Sequence, residues 1–111
     1  LTIMKLAKEE ARRIGRNTVG TEMFLLGIIA EGYGIGFRVL NELEVTIKDA
    51  RQAVEDIVGY GDEYFDQEIT FTARAKKVLE TAWQLAKRRN EPKIESAHLL
   101  YASQPFLIAL Q

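Results

Sequence analysis

The chain contains a helical unit that occurs twice, and this internal repeat limits its possible folds more than any other feature. When the 111-residue sequence is shifted by 75 residues, Ala7 falls on Ala82 and Ala11 falls on Ala86. The other matching pairs are Arg12-Arg13 with Lys87-Arg88, Val19 with Ile94, Thr21 with Ser96, and Leu25 with Leu100. Small, basic, apolar and capping positions coincide in order. Such a pattern predicts a duplicated structural unit that packs against its own copy.

Each unit has the residue spacing of amphipathic helices. The first helix is predicted over residues 1–14, with apolar residues on one face and charged residues on the other. Further helix starts are predicted where a hydroxyl side chain can cap the first turn, at Thr21, Thr46, Thr72 and Ser96. We therefore predict an all-α fold without strands, in which two pseudo-symmetric repeats pack as one domain. Repeat one is residues 1–59, the linker is residues 60–70, and repeat two is residues 71–111, which lacks an equivalent of the helix from Thr46 to Val58.

The second helix is apolar on nearly all sides, so it is expected to be central and buried. Leu25 and Leu100 are expected to occupy equivalent buried positions in the two repeats. Gly27 is expected to permit a close helix approach across the interface between the repeats. Pro105 is expected to end the sixth helix, with a short last helix over residues 106–110.

The composition argues against several classes of chemistry. The chain has no cysteine and one histidine, so cysteine-ligated metal sites and thiolate nucleophiles are excluded. The carboxylate pairs Glu9-Glu10 and Glu63-Asp66 are expected on polar helix faces or in the linker, where nothing would shift their pKa values. A net charge of −1 implies no general attraction to nucleic acid, and no apolar run reaches the length of about 18 residues that a membrane span needs. We therefore expect no enzymatic activity, no cofactor or metal, and neither nucleic acid nor membrane as a partner.

Several short motifs together resemble the first Clp repeat of Clp-family N-terminal domains. They are Gly20-Thr21-Glu22, Leu25-Leu26-Gly27, Glu31-Gly32, Gly34-Ile35 and Val39-Leu40. The segment Phe71-Thr72-x-Arg74-Ala75 is similar to the start of the second repeat. The resemblance implies a non-catalytic interaction module of the ATP-dependent Clp protease system. It leaves two forms open: a ClpT-type plastid accessory protein, or the N-terminal domain of a ClpC-type chaperone.

The partners implied by the resemblance differ between these two forms. An accessory protein would dock on Clp protease core subunits and the Clp chaperone, whereas a chaperone domain would bind adaptors and unfolded substrates. The implied location is the chloroplast stroma or a cyanobacterial-type bacterial cytoplasm. The sequence departs from the family pattern Gly-Thr-Glu-His in both repeats, because Met23 replaces the first histidine and the second repeat has Glu95-Ser96-Ala97-His98.

The resemblance also implies candidate binding residues at the start of the second helix. Thr21 and Glu22 match a site that holds phosphorylated arginine in ClpC-type domains, since a carboxylate can bind a guanidinium while a helix N-terminus attracts phosphate. The alternative is that both residues only cap the helix. Ala97 lacks the required acid in repeat two, and His98 is interpreted as a structural histidine.

Two further groups of residues are candidates for docking a partner. The basic pair Arg12 and Arg13 could bind an acidic partner or RNA, or could form an ordinary solvated face. The linker aromatics Tyr60, Tyr64 and Phe65 lie among acidic residues, so they either pack over the junction of the repeats or dock a partner.

Overall fold

Within the residues that the structure describes, the chain folds into six α-helices and two very short strands. The computed structural model describes residues 2–61 and 68–107, with side chains described as far as residue 104. The helices are α1 (Thr2–Arg13), α2 (Thr21–Glu31), α3 (Gly34–Glu42), α4 (Ile47–Val58), α5 (Ala73–Arg88) and α6 (Ser96–Leu107). The strands are β1 (Thr18–Val19) and β2 (Thr70–Phe71). The predicted all-α class is confirmed, and the division into two repeats with a linker stays a prediction.

Helix α2 lies at the centre, in contact with α1, α3, α4, α5 and α6. Its side chains Phe24, Leu26 and Ile28 are fully buried, as the apolar character of the whole segment predicts. Phe24 also meets Phe71 of β2, with the ring centroids 6.2 Å apart. The central position of α2 therefore joins both halves of the chain.

The expectation that the chain has no strands is wrong. Strands β1 and β2 pair in parallel, with Thr18 opposite Thr70 and Val19 opposite Phe71. The amide of Thr72 donates to the carbonyl oxygen of Val19 at 3.0 Å, which continues the pairing to the start of α5. Segments of two residues are too short to carry an alternating hydrophobic pattern, so periodicity could not reveal them.

Gly27 does permit a close helix approach, but within repeat one and not across the repeat interface. A Cβ atom at this position would lie 2.8 Å from the carbonyl oxygen of Ile3 and 3.0 Å from its Cγ2 atom. Both atoms belong to α1, so the missing side chain lets α1 and α2 pack directly against each other. The prediction of a contact across the repeats was wrong, because a glycine in a helix indicates close packing but does not identify the helix that packs against it.

Positions that the 75-residue shift matches are buried to similar degrees. Ala7 and Ala82 are both 0% exposed, and so are Ala11 and Ala86. Leu25 and Leu100 also match, but both are only partly buried, so the expectation of full burial is wrong. Neighbouring Leu26 and Leu99 are fully buried instead. An apolar pattern that continues around the whole helix does not identify which side chain points to the core.

Two of the four predicted caps are confirmed. The hydroxyl of Thr46 accepts from the amide of Asp49 at 3.2 Å, and the hydroxyl of Thr72 accepts from the amide of Ala75 at 3.1 Å. Thr21 and Ser96 are instead the first residues inside their helices, and both are buried. Gly20 is the N-cap of α2, in an extended conformation with no side-chain cap hydrogen bond.

Pro105 does not end α6, contrary to expectation, because the helix continues to Leu107. No separate helix begins at residue 106 within the described part of the chain, and residues 108–111 lie outside it. A proline placed this close to a helix end removes a single backbone hydrogen bond, so the helix can continue past it for a short distance.

The burial pattern predicts how two neighbouring leucines of α2 differ in their contribution to stability. We expect Leu26→Ala to lower the free energy of unfolding by about 2–5 kcal/mol, the usual range for a fully buried leucine. Leu25→Ala is the matched control and should cost clearly less, because Leu25 is partly exposed. Urea titrations followed by circular dichroism measure both values, and equal losses would contradict the assignment of the core face.

Candidate functional site

The start of α2 holds Glu22 in a compact turn with Gly20. The Glu22 carboxylate folds back over Gly20, so that a Cβ atom at residue 20 would overlap it. Gly20, and not Thr21, takes the N-cap position. The carboxylate lies at the positive end of the helix dipole, where an anion is stabilised. Thr21 is only 7% exposed, whereas Glu22 remains partly accessible.

The parallel pairing of the strands brings two helix starts to the same place. Strand β1 leads into α2, strand β2 leads into α5, and Val19 and Phe71 are direct partners. The first turns of both helices therefore lie at one edge of the small sheet, on the side that holds Glu22. Lys8 of α1 adds a cation nearby, with its Nζ atom 5.5 Å from the centroid of the Phe71 ring. The arrangement combines one carboxylate with positive helix ends.

The equivalent start of α6 has a different chemistry. Ser96 uses its hydroxyl inside the fold, where it accepts from the amide of Gly36 in α3 at 3.1 Å. Ala97 occupies the position that corresponds to Glu22 and offers no charge. A cavity of about 340 Å³ lies here, and it is lined by Thr2, Ile3, Glu31, Tyr33, Gly34, Lys93, Ile94, Glu95 and Ser96. The two helix starts are therefore not chemically equivalent.

One acid in this cavity, Glu31, comes from outside the motif at the start of α6. Burial raises the pKa of Glu31, and the negative charge of Glu95 adds to the increase. A hydrogen bond from Tyr33 and the positive charge of Lys93 oppose the change. Sequence reasoning did not select Glu31 or Tyr33, because they lie at the end of α2 and just after it, and become neighbours of α6 only through tertiary packing.

His98 has the structural role that its sequence context predicts. It is 4% exposed, and its Nδ1 atom accepts from the amide of Glu95 at 2.8 Å, which satisfies one free amide at the start of α6. Its Nε2 atom lies 2.7 Å from the Glu91 carboxylate. Hydrogen bonds from Arg89 and then from His98 lower the pKa of Glu91. Both imidazole nitrogens are thus occupied by the turn before α6.

Arg13 belongs to an ion-pair network that attaches α4 to α1. It contacts Glu55 at 2.6 Å and Glu10 at 3.3 Å. Arg51 donates to both oxygens of Glu10, at 2.9 and 2.7 Å. Arg16 completes the attachment by donating to the carbonyl oxygen of Val58 at 2.7 Å. The guanidinium of Arg13 is therefore engaged in ion pairs, although Arg13 is exposed, as Arg12 is.

The expectation for Glu10 is wrong, because this acid is buried and not on a polar face. It is 5% exposed. Burial alone would raise the pKa of Glu10, but the hydrogen bonds and charges of Arg51 and Arg13 outweigh it and lower the pKa. The sequence could not show that Glu10, and not a neighbouring acid, is buried, because its partner Arg51 lies 41 residues further along the chain.

The linker aromatics are only partly described. Tyr60 is 66% exposed and hydrogen-bonds to Glu55, so its ring does not cover the junction of the repeats. Tyr64 and Phe65 lie outside the described residues. The docking role of these three residues, and of Arg12 and Arg13, stays a prediction.

The described residues can be compared with what a metal site and a membrane span require. Within residues 2–61 and 68–107, no group of three or more His, Asp or Glu side chains could hold a metal ion. No single helix in the same ranges is long and apolar enough to cross a membrane. Helices α2 and α3 reach the necessary length and apolar character only when they are taken together, and they are bent by 92° at their junction.

Comparisons with known proteins agree on one family. The Clp repeat (R) N-terminal domain family matches residues 2–104. The chaperone protein ClpC2, chloroplastic, of Oryza sativa subsp. japonica is 48% identical over 100 residues, which is 90% of this chain and 11% of that protein. The chaperone protein ClpC1, chloroplastic, of Arabidopsis thaliana gives the same identity and coverage. The chain therefore spans about a ninth of the length of these relatives.

A solved structure supports the same grouping. The N-terminal domain of the caseinolytic protease associated chaperone ClpD from Arabidopsis thaliana superposes with a TM-score of 0.71 and 25% sequence identity. The match covers 92% of this chain and 70% of that domain.

The Glu10 network predicts how stability depends on pH. The folded-state pKa of Glu10 is lowered, so the ionised form stabilises the fold above the ordinary value of 4.5. This contribution is lost as the pH falls below that value and through the folded-state pKa. We expect Glu10→Gln to cost about 1.5–3 kcal/mol at pH 7, typical of hydrogen bonds to a charged group.

The same substitution should flatten the acid side of the stability curve. Neighbouring Glu9→Gln is the matched control, because Glu9 is exposed, and it should change stability by less than about 0.5 kcal/mol. Urea titrations between pH 7 and pH 3 measure both effects. Equal losses for the two variants at pH 7 would contradict the structural role of Glu10.

Proposed function

Because the chain belongs to the Clp repeat (R) N-terminal domain family, we propose that it is a non-catalytic protein-interaction module of the ATP-dependent Clp protease system. The observation that supports this most directly is the match of the family over residues 2–104, which is nearly the whole chain. The described residues add a compact helical scaffold with exposed surfaces and no cluster of acids and histidine that could hold a metal. In this proposal the chain binds proteins and does not transform small molecules.

The module acts as an accessory or regulatory protein that docks on Clp core or chaperone subunits. A second candidate is the N-terminal substrate- and adaptor-binding domain of a ClpC-type chaperone, which is favoured by the 48% identity with ClpC proteins. In the first form the partners are Clp protease core subunits and the Clp chaperone. In the second they are adaptors and unfolded protein substrates. The chloroplastic names of several relatives support a plastid location in either form.

The length of the complete gene product distinguishes the two forms. A product of about 200 residues or fewer would support the accessory protein, and a product several times longer would support the chaperone. The limit of about 200 residues follows from the usual length of a domain, since a single module of this kind is one domain.

The docking proposal predicts a direct, measurable complex. We expect the purified chain to bind either purified Clp core subunits or the purified Clp chaperone in biolayer interferometry, with saturable binding. Tyr60→Ala should weaken this complex if the linker aromatics dock the partner. Tyr101→Ala is the matched control, because Tyr101 is similarly exposed on α6. Absence of binding to both partners would contradict the accessory form of the proposal.

The start of α2 is the proposed site for a phosphorylated arginine of a substrate. Glu22 is partly accessible and lies beside the first turns of α2 and α5, so a guanidinium and a phosphate could both find partners there. Thr21 is buried, so its contribution is to position the turn. The start of α6 lacks the acid at Ala97, and its cavity is lined by Glu31, Lys93 and Glu95. We therefore propose one phosphoarginine site and not two.

Calorimetry with free phosphoarginine tests this site. We expect one site per chain, and Glu22→Ala should weaken binding by about ten-fold or more, because a charge-assisted contact contributes about 1.5–3 kcal/mol. Glu9→Ala is the control, since Glu9 is an exposed acid on α1. Two equal sites would contradict the single-site proposal, and unchanged binding by Glu22→Ala would contradict the role of Glu22. No binding at all would leave this turn as a helix start without a ligand.

A further inference from the structure

Helix α3 exposes a stripe of apolar side chains that no part of the described fold covers. Ile35, Val39 and Leu43 are 60%, 42% and 69% exposed. They follow one another at intervals of four residues, so they form one continuous row along the helix and its C-cap. We call this row the α3 stripe. Contiguous apolar surface of this kind is characteristic of an interaction site.

The other side of α3 already has its partner inside the fold. Gly36 and Leu40 are buried, and the amide of Gly36 donates to the Ser96 hydroxyl at the start of α6. The α3 stripe is thus the second of two apolar faces on one short helix. Packing of the domain explains the first face and leaves the second without a partner in the described part of the chain.

Two charged residues follow the edge of the stripe. Arg38 and Glu42 are exposed, and four residues separate them, so they lie on the same flank of the helix. Neither takes part in an ion pair or side-chain hydrogen bond within the ranges that the structure describes. A cation and an anion are therefore both available at this edge.

The pattern of the stripe is complementary to itself when it is reversed. Val39 lies midway between Ile35 and Leu43, so an antiparallel copy centred on Val39 places each terminal side chain against the opposite one. Arg38 precedes Val39 by one residue and Glu42 follows it by three. With a rise of about 1.5 Å per residue, the reversed Glu42 lies within about 3 Å of the level of Arg38 along the helix axis. A two-fold axis through the interface also keeps both charges on the same side.

We propose that the occupant of the α3 stripe is a second copy of this chain, in a two-fold symmetric dimer with antiparallel α3 helices. The contacts are Val39 with Val39, Ile35 with Leu43, and two reciprocal ion pairs between Arg38 and Glu42. A partner with a different sequence would have to supply both the apolar spacing and the reversed charges, whereas the second copy has them by symmetry. The interface is small, so the dimer forms at high protein concentration.

This inference goes beyond the proposed function and does not rest on it. The dimer can be measured with the purified chain alone, and the complexes with Clp subunits are measured separately. Failure of one proposal therefore leaves the other unaffected.

The lack of native cysteine provides a direct test of the two-fold axis. Residue 39 lies on the proposed axis, so the two copies of a Val39→Cys variant come close enough for a disulfide. We expect mild oxidation to convert this variant largely to a covalent dimer. Ile57→Cys is the matched control, because Ile57 is 56% exposed on α4, away from the stripe, and should remain mostly monomeric. Equal crosslinking of the two variants would overturn the proposal.

Charge reversal tests the ion pairs and their geometry. We expect sedimentation equilibrium of the native chain to show a monomer–dimer equilibrium. Arg38→Glu or Glu42→Arg alone should weaken dimerisation about five-fold or more, because each symmetric dimer loses two pairs and gains repulsion. The double variant Arg38→Glu/Glu42→Arg should restore the native affinity. A native chain that stays monomeric at about 1 mM, or a double variant as weak as the single variants, would overturn the proposal.

Discussion

The burial of α2 is the constraint on which the rest of this structure depends. This helix is apolar on nearly all sides, so leaving any face in water would cost free energy. The remaining five helices all contact it, and Gly27 lets the backbone of α1 approach most closely. Phe24 reaches β2 through Phe71, so the same helix also fixes where the second half of the chain begins. The other helices are therefore arranged around α2 and cover its apolar surface.

The paired strands place the starts of α2 and α5 next to each other, where the proposed binding site lies. Because β1 and β2 are parallel, the helices that follow them start side by side at the same edge. Their positive ends favour an anion, and Glu22 lies there as the one acid of the first turn of α2. The corresponding start of α6 uses Ser96 to hold α3 and has acids in its cavity. The two helix starts thus have different chemistries, and the difference comes from a few side chains.

Two features depart from the simple amphipathic pattern, in which charged residues are exposed and apolar residues are buried. Glu10 is buried because α4 brings Arg51 to it, and the ion pair offsets the cost of removing the carboxylate from water. The α3 stripe is the opposite case, since three apolar side chains stay exposed on a helix whose other face is already packed. The first exception attaches one helix to the domain. The second is the surface that the proposed dimer covers.

The sequence by itself determined the helical class, the central position of α2 and the caps at Thr46 and Thr72. These features depend on residues close together in the chain, whose spacing on a helix is fixed by backbone geometry. Tertiary structure decided the pairing of β1 with β2, the partner of Gly27, the burial of Glu10 and the cavity with Glu31. Each of these joins segments that are distant in sequence, such as Glu10 and Arg51, so no local pattern specifies it. Local spacing shows which face of a helix must be covered, and only the packed chain decides what covers it.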